Sequence, residues 1–125
     1  MPGFKPLTKA EEQIMQALWK IGKGFTKDII EALPKPKPHY NTASTLLKIL
    51  IEKGFVTAES VGNAHLYIPV VGKEAYSKAS MKQLLKGYFD GSFSSMLSFF
   101  AKEKDISLKE LEEVIRDIKS PKKNN

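Results

Sequence analysis

The first third of the chain spaces its apolar residues as short amphipathic helices do. Thr8 and Glu11 have the spacing of a capping box, which predicts that a helix begins here. Gly22 and Gly24 predict its end. From Leu7 to this end, the apolar positions follow helical spacing: Leu7, Ala10, Ile14, Ala17, Leu18 and Ile21. A second, shorter helix is predicted to begin at Thr26.

A third helix is predicted after the connector 34–38, whose three prolines exclude a helix there. Asn41 is a suitable N-cap for it, and Gly54 suits the turn that ends it. One face is apolar and consists of Ala43, Leu46, Leu47 and Leu50. The opposite face is polar and consists of Asn41, Thr45, Lys48 and Glu52.

The pattern then becomes that of a β-hairpin. Residues 55–69 have strand composition on both sides of Gly62 and Asn63, which suit a two-residue turn. Three helices followed by a hairpin predict a winged helix-turn-helix domain over residues 1–71. The third helix would then be the helix that reads DNA, and the hairpin would be the wing. A small α+β domain that binds protein is the alternative.

After this domain the chain is helical without strands. Apolar residues keep helical spacing on both sides of a break at Asp90 and Gly91, and Ser107 with Glu110 forms a second capping-box pattern. The fold class is therefore mainly α with a small β-wing, a winged helix-turn-helix followed by a helical region.

Three short helices cannot bury all of these apolar faces by themselves, so we expect residues 72–120 to form a dimerisation domain. Packing of the helices back onto the winged domain is the alternative. Residues 121–125 are expected to be a disordered tail. The expected dimer contacts are Leu84, Leu85, Tyr88, Phe89, Phe93, Met96, Leu97, Phe100, Leu111, Ile115 and Ile118.

Composition excludes several classes of protein. No apolar run approaches the ~20 residues of a membrane span, and the N-terminus lacks a signal-peptide core, so we expect a cytoplasmic protein. The chain has no cysteine, which excludes disulfides, thiolate zinc sites and a cysteine nucleophile. It has two histidines, too few for an all-histidine metal site. No cofactor and no metal are expected, and since the sequence contains none of the common catalytic motifs, neither is an enzyme.

The net charge of +6 fits a polyanionic partner, most often nucleic acid. Short polar side chains at the start of the third helix have the chemistry of base contacts, and we assign that role to Asn41, Thr42, Ser44, Thr45 and Lys48. The expected phosphate contacts are Lys35, Lys37, Tyr40, Lys53, Asn63 and His65. Asn41 as a simple helix cap, and the lysines as solvated charges, are the alternatives.

Arg116 is the only arginine, so the winged domain cannot form a bidentate arginine–guanine contact. Recognition is therefore expected to depend on A·T pairs, lysine and DNA shape. A winged-helix protein-interaction module that binds DNA only weakly and without specificity is the competing hypothesis.

Residues 41–54 resemble the N-T-x-x-T-x-L-x-x-L-x-x-K-G signature of the penicillinase-repressor family. The resemblance continues in the same order along nearly the whole chain, at residues 7–11, 18–19, 62–69, 89–92 and 108–112. It implies a homodimeric bacterial repressor that binds a short palindromic operator in double-stranded DNA. It also implies that the start of the third helix, with Asn41, Thr42 and Thr45, enters the major groove.

The family resemblance also suggests how such a repressor is inactivated. In one branch a membrane-bound sensor protease cuts an Asn-Phe bond, which corresponds to Phe99-Phe100 here. The asparagine is absent, which disfavours this route, although the protease is kept as a candidate partner. The copper-responsive branch uses a cysteine motif that this chain lacks. The family often has a basic residue after the turn glycine of the wing, where this chain has Asn63.

Overall fold

The computed structural model describes residues 4–119, with the side chains of residues 118 and 119 left out of the description. Its elements in chain order are α1 (Lys9–Ile21), α2 (Thr26–Glu31), α3 (Tyr40–Glu52), β1 (Val56–Val61), β2 (Ala64–Pro69), α4 (Lys73–Tyr88), α5 (Phe93–Lys102) and α6 (Leu108–Lys119). The chain divides into two compact units between Ala79 and Ser80. The predicted domain limits, 1–71 and 72–120, stay a prediction, and the predicted tail 121–125 lies outside the described residues.

The first unit is a winged helix-turn-helix, as the sequence predicted. Helices α1, α2 and α3 pack around one core with the hairpin against them. Ile14, Ala17 and Leu18 of the first predicted apolar pattern are buried in this core, whereas Ala10 and Ile21 of the same pattern are exposed. The largest fully buried side chains are Ile14, Met15, Leu18, Ile29, Leu47, Leu50 and Phe55. Helix α1 begins at the predicted capping box. The Glu11 amide donates to Thr8 Oγ1 at 3.1 Å, and the Thr8 amide donates to Glu11 Oε1 at 3.0 Å.

Helix α3 begins earlier than predicted. His39 is the N-cap, and its carbonyl accepts the Ala43 amide at 3.0 Å, so the prediction of Asn41 as N-cap was wrong. Asn41 lies in the first turn of the helix, because the chain is already free to turn helical once it has passed Pro38.

The end of α3 follows the prediction. The Gly54 amide donates to the Ile51 carbonyl and the Phe55 amide to the Leu50 carbonyl, which is a Schellman turn. Gly54 has φ of +84°, a conformation that glycine adopts without strain. The turn brings Phe55 under the end of the helix and into the core.

The wing is an antiparallel pair in which Val56 faces Pro69 and Val61 faces Ala64. An isolated β-bridge joins β2 of the wing to the turn before α2. The Gly24 amide donates to the Tyr67 carbonyl at 3.0 Å, and the Tyr67 amide donates to the Gly24 carbonyl at 2.8 Å. Because both bonds join the turn before α2 to β2, they hold the base of the wing against the helix-turn-helix.

The second unit contains the end of α4 together with α5 and α6. The break predicted at Asp90 and Gly91 is present, and both residues have positive φ. Helix α6 begins at the predicted second capping box, in which Ser107 and Glu110 exchange side-chain-to-amide bonds of 2.9 and 3.1 Å. Within residues 4–119, no helix is both long and apolar enough to cross a membrane.

Candidate nucleic-acid interface

The polar face of α3 is open to solvent. Asn41, Thr42, Thr45 and Lys48 are exposed, and Ser44 is half-buried beside the fully buried Ala43. The Thr45 hydroxyl donates to the Asn41 carbonyl one turn earlier at 3.0 Å, which fixes its rotamer and leaves its methyl group and an oxygen lone pair for other contacts. The helix therefore presents a row of short hydrogen-bonding side chains, most of which no residue between 4 and 79 covers.

The starts of α2 and α3 and the tip of the wing surround one groove of about 290 Å³. The groove is lined by Phe25, Thr26, Lys27, Tyr40, Val61 and Ala64. Tyr40 is 61% exposed on its rim. The three elements that a winged helix uses on DNA thus border the same surface.

Lys27 was missed by the sequence reasoning. It is exposed and lines this groove beside the wing tip, close to the residues assigned to the interface. The available signal was a basic residue in the first turn of the helix that precedes the reading helix.

The residues assigned to phosphate contacts fall into two groups. Lys35, Tyr40, Asn63 and His65 are exposed. Lys37 and Lys53, in contrast, have their ammonium groups bonded within the protein. Lys37 Nζ donates to the Ile30, Glu31 and Leu33 carbonyls at 3.2, 2.9 and 2.7 Å.

Lys53 pairs with the carboxylate of Glu11. Lys53 Nζ lies 2.7 Å from Glu11 Oε1 and also donates to the Pro6 carbonyl at 2.8 Å. Burial raises the pKa of the Glu11 carboxyl, but the hydrogen bond and charge of Lys53 and the contacts with Thr8 outweigh it and lower the pKa below 4.5. The pair joins the first turn of α1 to the residue that follows the last turn of α3.

The second unit exposes a large part of its apolar residues. Tyr88 is 79% exposed, and Leu84, Phe93 and Ile115 are also exposed. Phe89, Leu97, Phe100 and Leu111 are half-buried, whereas Leu85 and Met96 are buried within the single chain. The Ile118 side chain lies outside the description. Exposed apolar residues that the sequence reasoning did not include in the dimer contacts are Met81, Phe99, Leu108 and Val114.

The bond between Phe99 and Phe100 lies inside α5. The two rings are in edge-on contact with centroids 5.6 Å apart, and Phe99 also contacts Phe89 at 5.9 Å. This segment is therefore helical rather than extended.

Comparison with known proteins gives a consistent result. A family model described as penicillinase repressor matches residues 7–120. The chain is 26% identical to the penicillinase repressor of Bacillus licheniformis over 127 residues, which cover 98% of this chain and 99% of that protein. It is 26% identical to the methicillin resistance regulatory protein MecI of Staphylococcus aureus strain N315 over 109 residues, which cover 86% of this chain and 89% of that protein.

Among solved structures, that of the CopR repressor is similar to 54% of this chain and 99% of its own, with a TM-score of 0.45 and 25% identity.

Proposed function

This chain belongs to the penicillinase repressor family, and we propose that it represses transcription as a dimer bound to a short palindromic operator. Family membership supports the coarser assignment: the protein is a DNA-binding transcriptional repressor. Its relatives are repressors, so the expectation that it is not an enzyme is confirmed. We also propose a cytoplasmic location, where a bacterial operator lies.

The observation that carries the proposal is the uncovered polar face of α3 beside the wing. We assign base contacts to Asn41, Thr42, Ser44, Thr45 and Lys48, because their amide, hydroxyl and ammonium groups match base edges in the major groove. Phosphate contacts are assigned to Lys27 and Tyr40, which line the groove, and to Lys35, Asn63 and His65, which are exposed in the connector before α3 and in the wing. Lys37 and Lys53 are left out because their ammonium groups already have partners.

The dimer is supported by the exposed apolar side chains of the second unit. A monomer rarely leaves so many large apolar residues in water, and a second copy of the chain can cover them. We assign the dimer contacts to the exposed and half-buried members of the predicted set and exclude the buried Leu85 and Met96. Half-sites in the operator are then expected about 34 Å apart, or a multiple of that distance.

The sensor protease stays a prediction. The bond between Phe99 and Phe100 lies within a helix, and the family's asparagine is absent.

The first test is selection of random duplex DNA on the purified protein at about 150 mM salt, where non-specific binding is weak. We expect a palindrome to be enriched. Asn41→Ala and Thr45→Ala should relax base preference at individual positions, whereas Gln13→Ala, which removes an exposed amide from α1, should leave the selected sequence unchanged. Unaltered base preference in both α3 variants would refute the assigned base contacts.

The competing hypothesis, a protein-interaction module, predicts a different result in the same experiment. Binding would be weak, blind to sequence and lost at physiological salt. The dimer is tested separately by sedimentation of the wild type and Ile115→Asp, with Glu113→Ala as an exposed control on the same helix. We expect the wild type and the control to be dimers and Ile115→Asp to be a monomer. A monomeric wild type at micromolar concentration would contradict the proposal.

A further inference from the structure

Lys37 lies in the connector between α2 and α3, and its ammonium group closes the end of α2. The three prolines of this connector, at positions 34, 36 and 38, have no backbone N–H to donate. The prolines therefore cannot supply the amide donors that usually follow a helix, although the Leu33 amide still donates to the Ile30 carbonyl at 3.0 Å. An ammonium group carries three N–H donors, and Lys37 directs its group at the Ile30 and Glu31 carbonyls in the last turn of α2 and at the Leu33 carbonyl just after it.

The three distances, from 2.7 to 3.2 Å, are within hydrogen-bond range. The positive charge also lies at the negative end of the helix, where it is electrostatically favourable. Lys37 is thus held against α2, and α3 begins at Tyr40, three residues further along the chain. A contact that fixes the connector also fixes the position at which the reading helix starts.

We propose that Lys37 is a positioning residue for DNA recognition. Its hydrogen bonds hold the connector against the end of α2, and the first turn of α3 is thereby held in place for base contacts. The expected effect on DNA binding rests on the proposed function, whereas the expected effect on the first turn of α3 does not. This positioning role differs from the role expected from sequence, in which Lys37 would contact phosphate directly.

Lys35 provides a matched control. It has the same charge, lies two residues earlier in the same connector and is exposed. Lys35→Met and Lys37→Met each remove one positive charge from this part of the surface and keep an unbranched side chain. Only Lys37→Met removes the bonds to the end of α2. Any difference between the two variants therefore reports on those bonds rather than on net charge.

The first measurement needs no DNA. Amide hydrogen exchange of the first turn of α3, with the Ala43 amide as reporter, is compared between the two variants and the wild type. We expect exchange to be about tenfold faster in Lys37→Met and unchanged in Lys35→Met. Equal exchange in all three proteins would overturn the proposal whatever the DNA result. If Lys37→Met does not fold, Lys37→Gln, which keeps amide donors without the charge, replaces it and is expected to give a smaller increase.

The second measurement titrates the selected operator and a scrambled duplex at several salt concentrations. For Lys37→Met we expect an unchanged salt slope and an affinity for the operator that is about tenfold lower, with scrambled DNA bound as before. For Lys35→Met we expect a salt slope reduced by about 0.9, as for one lost phosphate contact, and equal weakening on both duplexes. If Lys37→Met behaves like Lys35→Met, Lys37 is a phosphate contact and the proposal is wrong. A wild type that does not distinguish the two duplexes would refute the proposed function alone, and hydrogen exchange would still decide the positioning role.

Discussion

The ion pair between Glu11 and Lys53 allows a quantitative prediction about the winged unit. We consider Lys53→Met, which keeps the aliphatic part of the side chain and removes the ammonium group. The variant leaves the carboxylate of Glu11 without its charged partner, and Glu11 is only 4% exposed. It also removes the bond from Lys53 Nζ to the Pro6 carbonyl.

The expected cost follows from the burial of the two partners. Removing one partner of a fully buried pair destabilises a protein by about 3–5 kcal/mol, whereas an exposed pair contributes about 0–1 kcal/mol. Here the carboxylate is buried but the Lys53 side chain is 24% exposed, so water partly screens the interaction. The Thr8 amide and hydroxyl still contact Glu11 in the variant. We therefore expect the free energy of unfolding of the first unit to fall by about 2 kcal/mol.

Trp19 makes this measurable in the full chain. It is the single tryptophan, packs against the core of the first unit and donates from its indole nitrogen to the Val71 carbonyl at 2.9 Å. Its fluorescence during urea denaturation therefore reports the unfolding of that unit. At pH 7 we expect Lys53→Met to lower the urea midpoint without a change in slope.

The pH dependence of this difference has a definite sign. The pKa of Glu11 is lower in the folded protein than its ordinary value of 4.5, so its contribution is present above that value and is lost as the pH falls through the folded-state pKa. Lys53 stabilises the ionised carboxylate. The difference in stability between the wild type and Lys53→Met should therefore be largest near neutral pH and shrink as the carboxyl is protonated.

Two controls separate the ion pair from other effects. Lys48→Met removes an exposed lysine from α3, the helix that ends just before Lys53, and should leave the midpoint unchanged. The double variant with both Glu11→Gln and Lys53→Met should lose less stability than the sum of the losses in the two single variants, because each single change removes the same interaction. The reasoning would be refuted if Lys53→Met matched Lys48→Met at pH 7, or if the loss in stability did not depend on pH.

Two further changes test the packing of the first unit by the same fluorescence assay. Leu47→Ala, at a fully buried site on α3, should cost about 3 kcal/mol, whereas Ile51→Ala on the exposed side should cost less than about 1 kcal/mol; similar losses would contradict the assignment of the two faces. Gly24→Ala should cost about 1 kcal/mol, because the new Cβ would lie 3.1 Å from Asp28 Cβ and 2.8 Å from Ile21 Cδ1, the end of a side chain that can move aside. Gly72→Ala, which meets nothing within 4 Å, is the matched control and should be close to neutral.

Sequence alone determined the features that depend on neighbouring residues. The capping boxes at Thr8 and Ser107 involve groups three residues apart, so the pattern of residue types is sufficient to specify them. The same holds for the turn at Gly54 and for the hairpin turn at Gly62, since both need a backbone conformation that glycine adopts readily. The polar and apolar faces of α3 follow from helical periodicity, which needs only the order of the residues.

Tertiary structure decided the roles that depend on distant partners. Lys53 and Glu11 are 42 positions apart, and only the packing of α1 against α3 brings their charges together. Lys37 had the charge and setting of a phosphate contact, but its ammonium group donates to carbonyls in and just after the last turn of α2, where the prolines of the connector supply no amide donors. In both cases the residue type was visible in the sequence, whereas its partner was not. A flexible cationic side chain bonds to whichever acceptors the fold places within its reach.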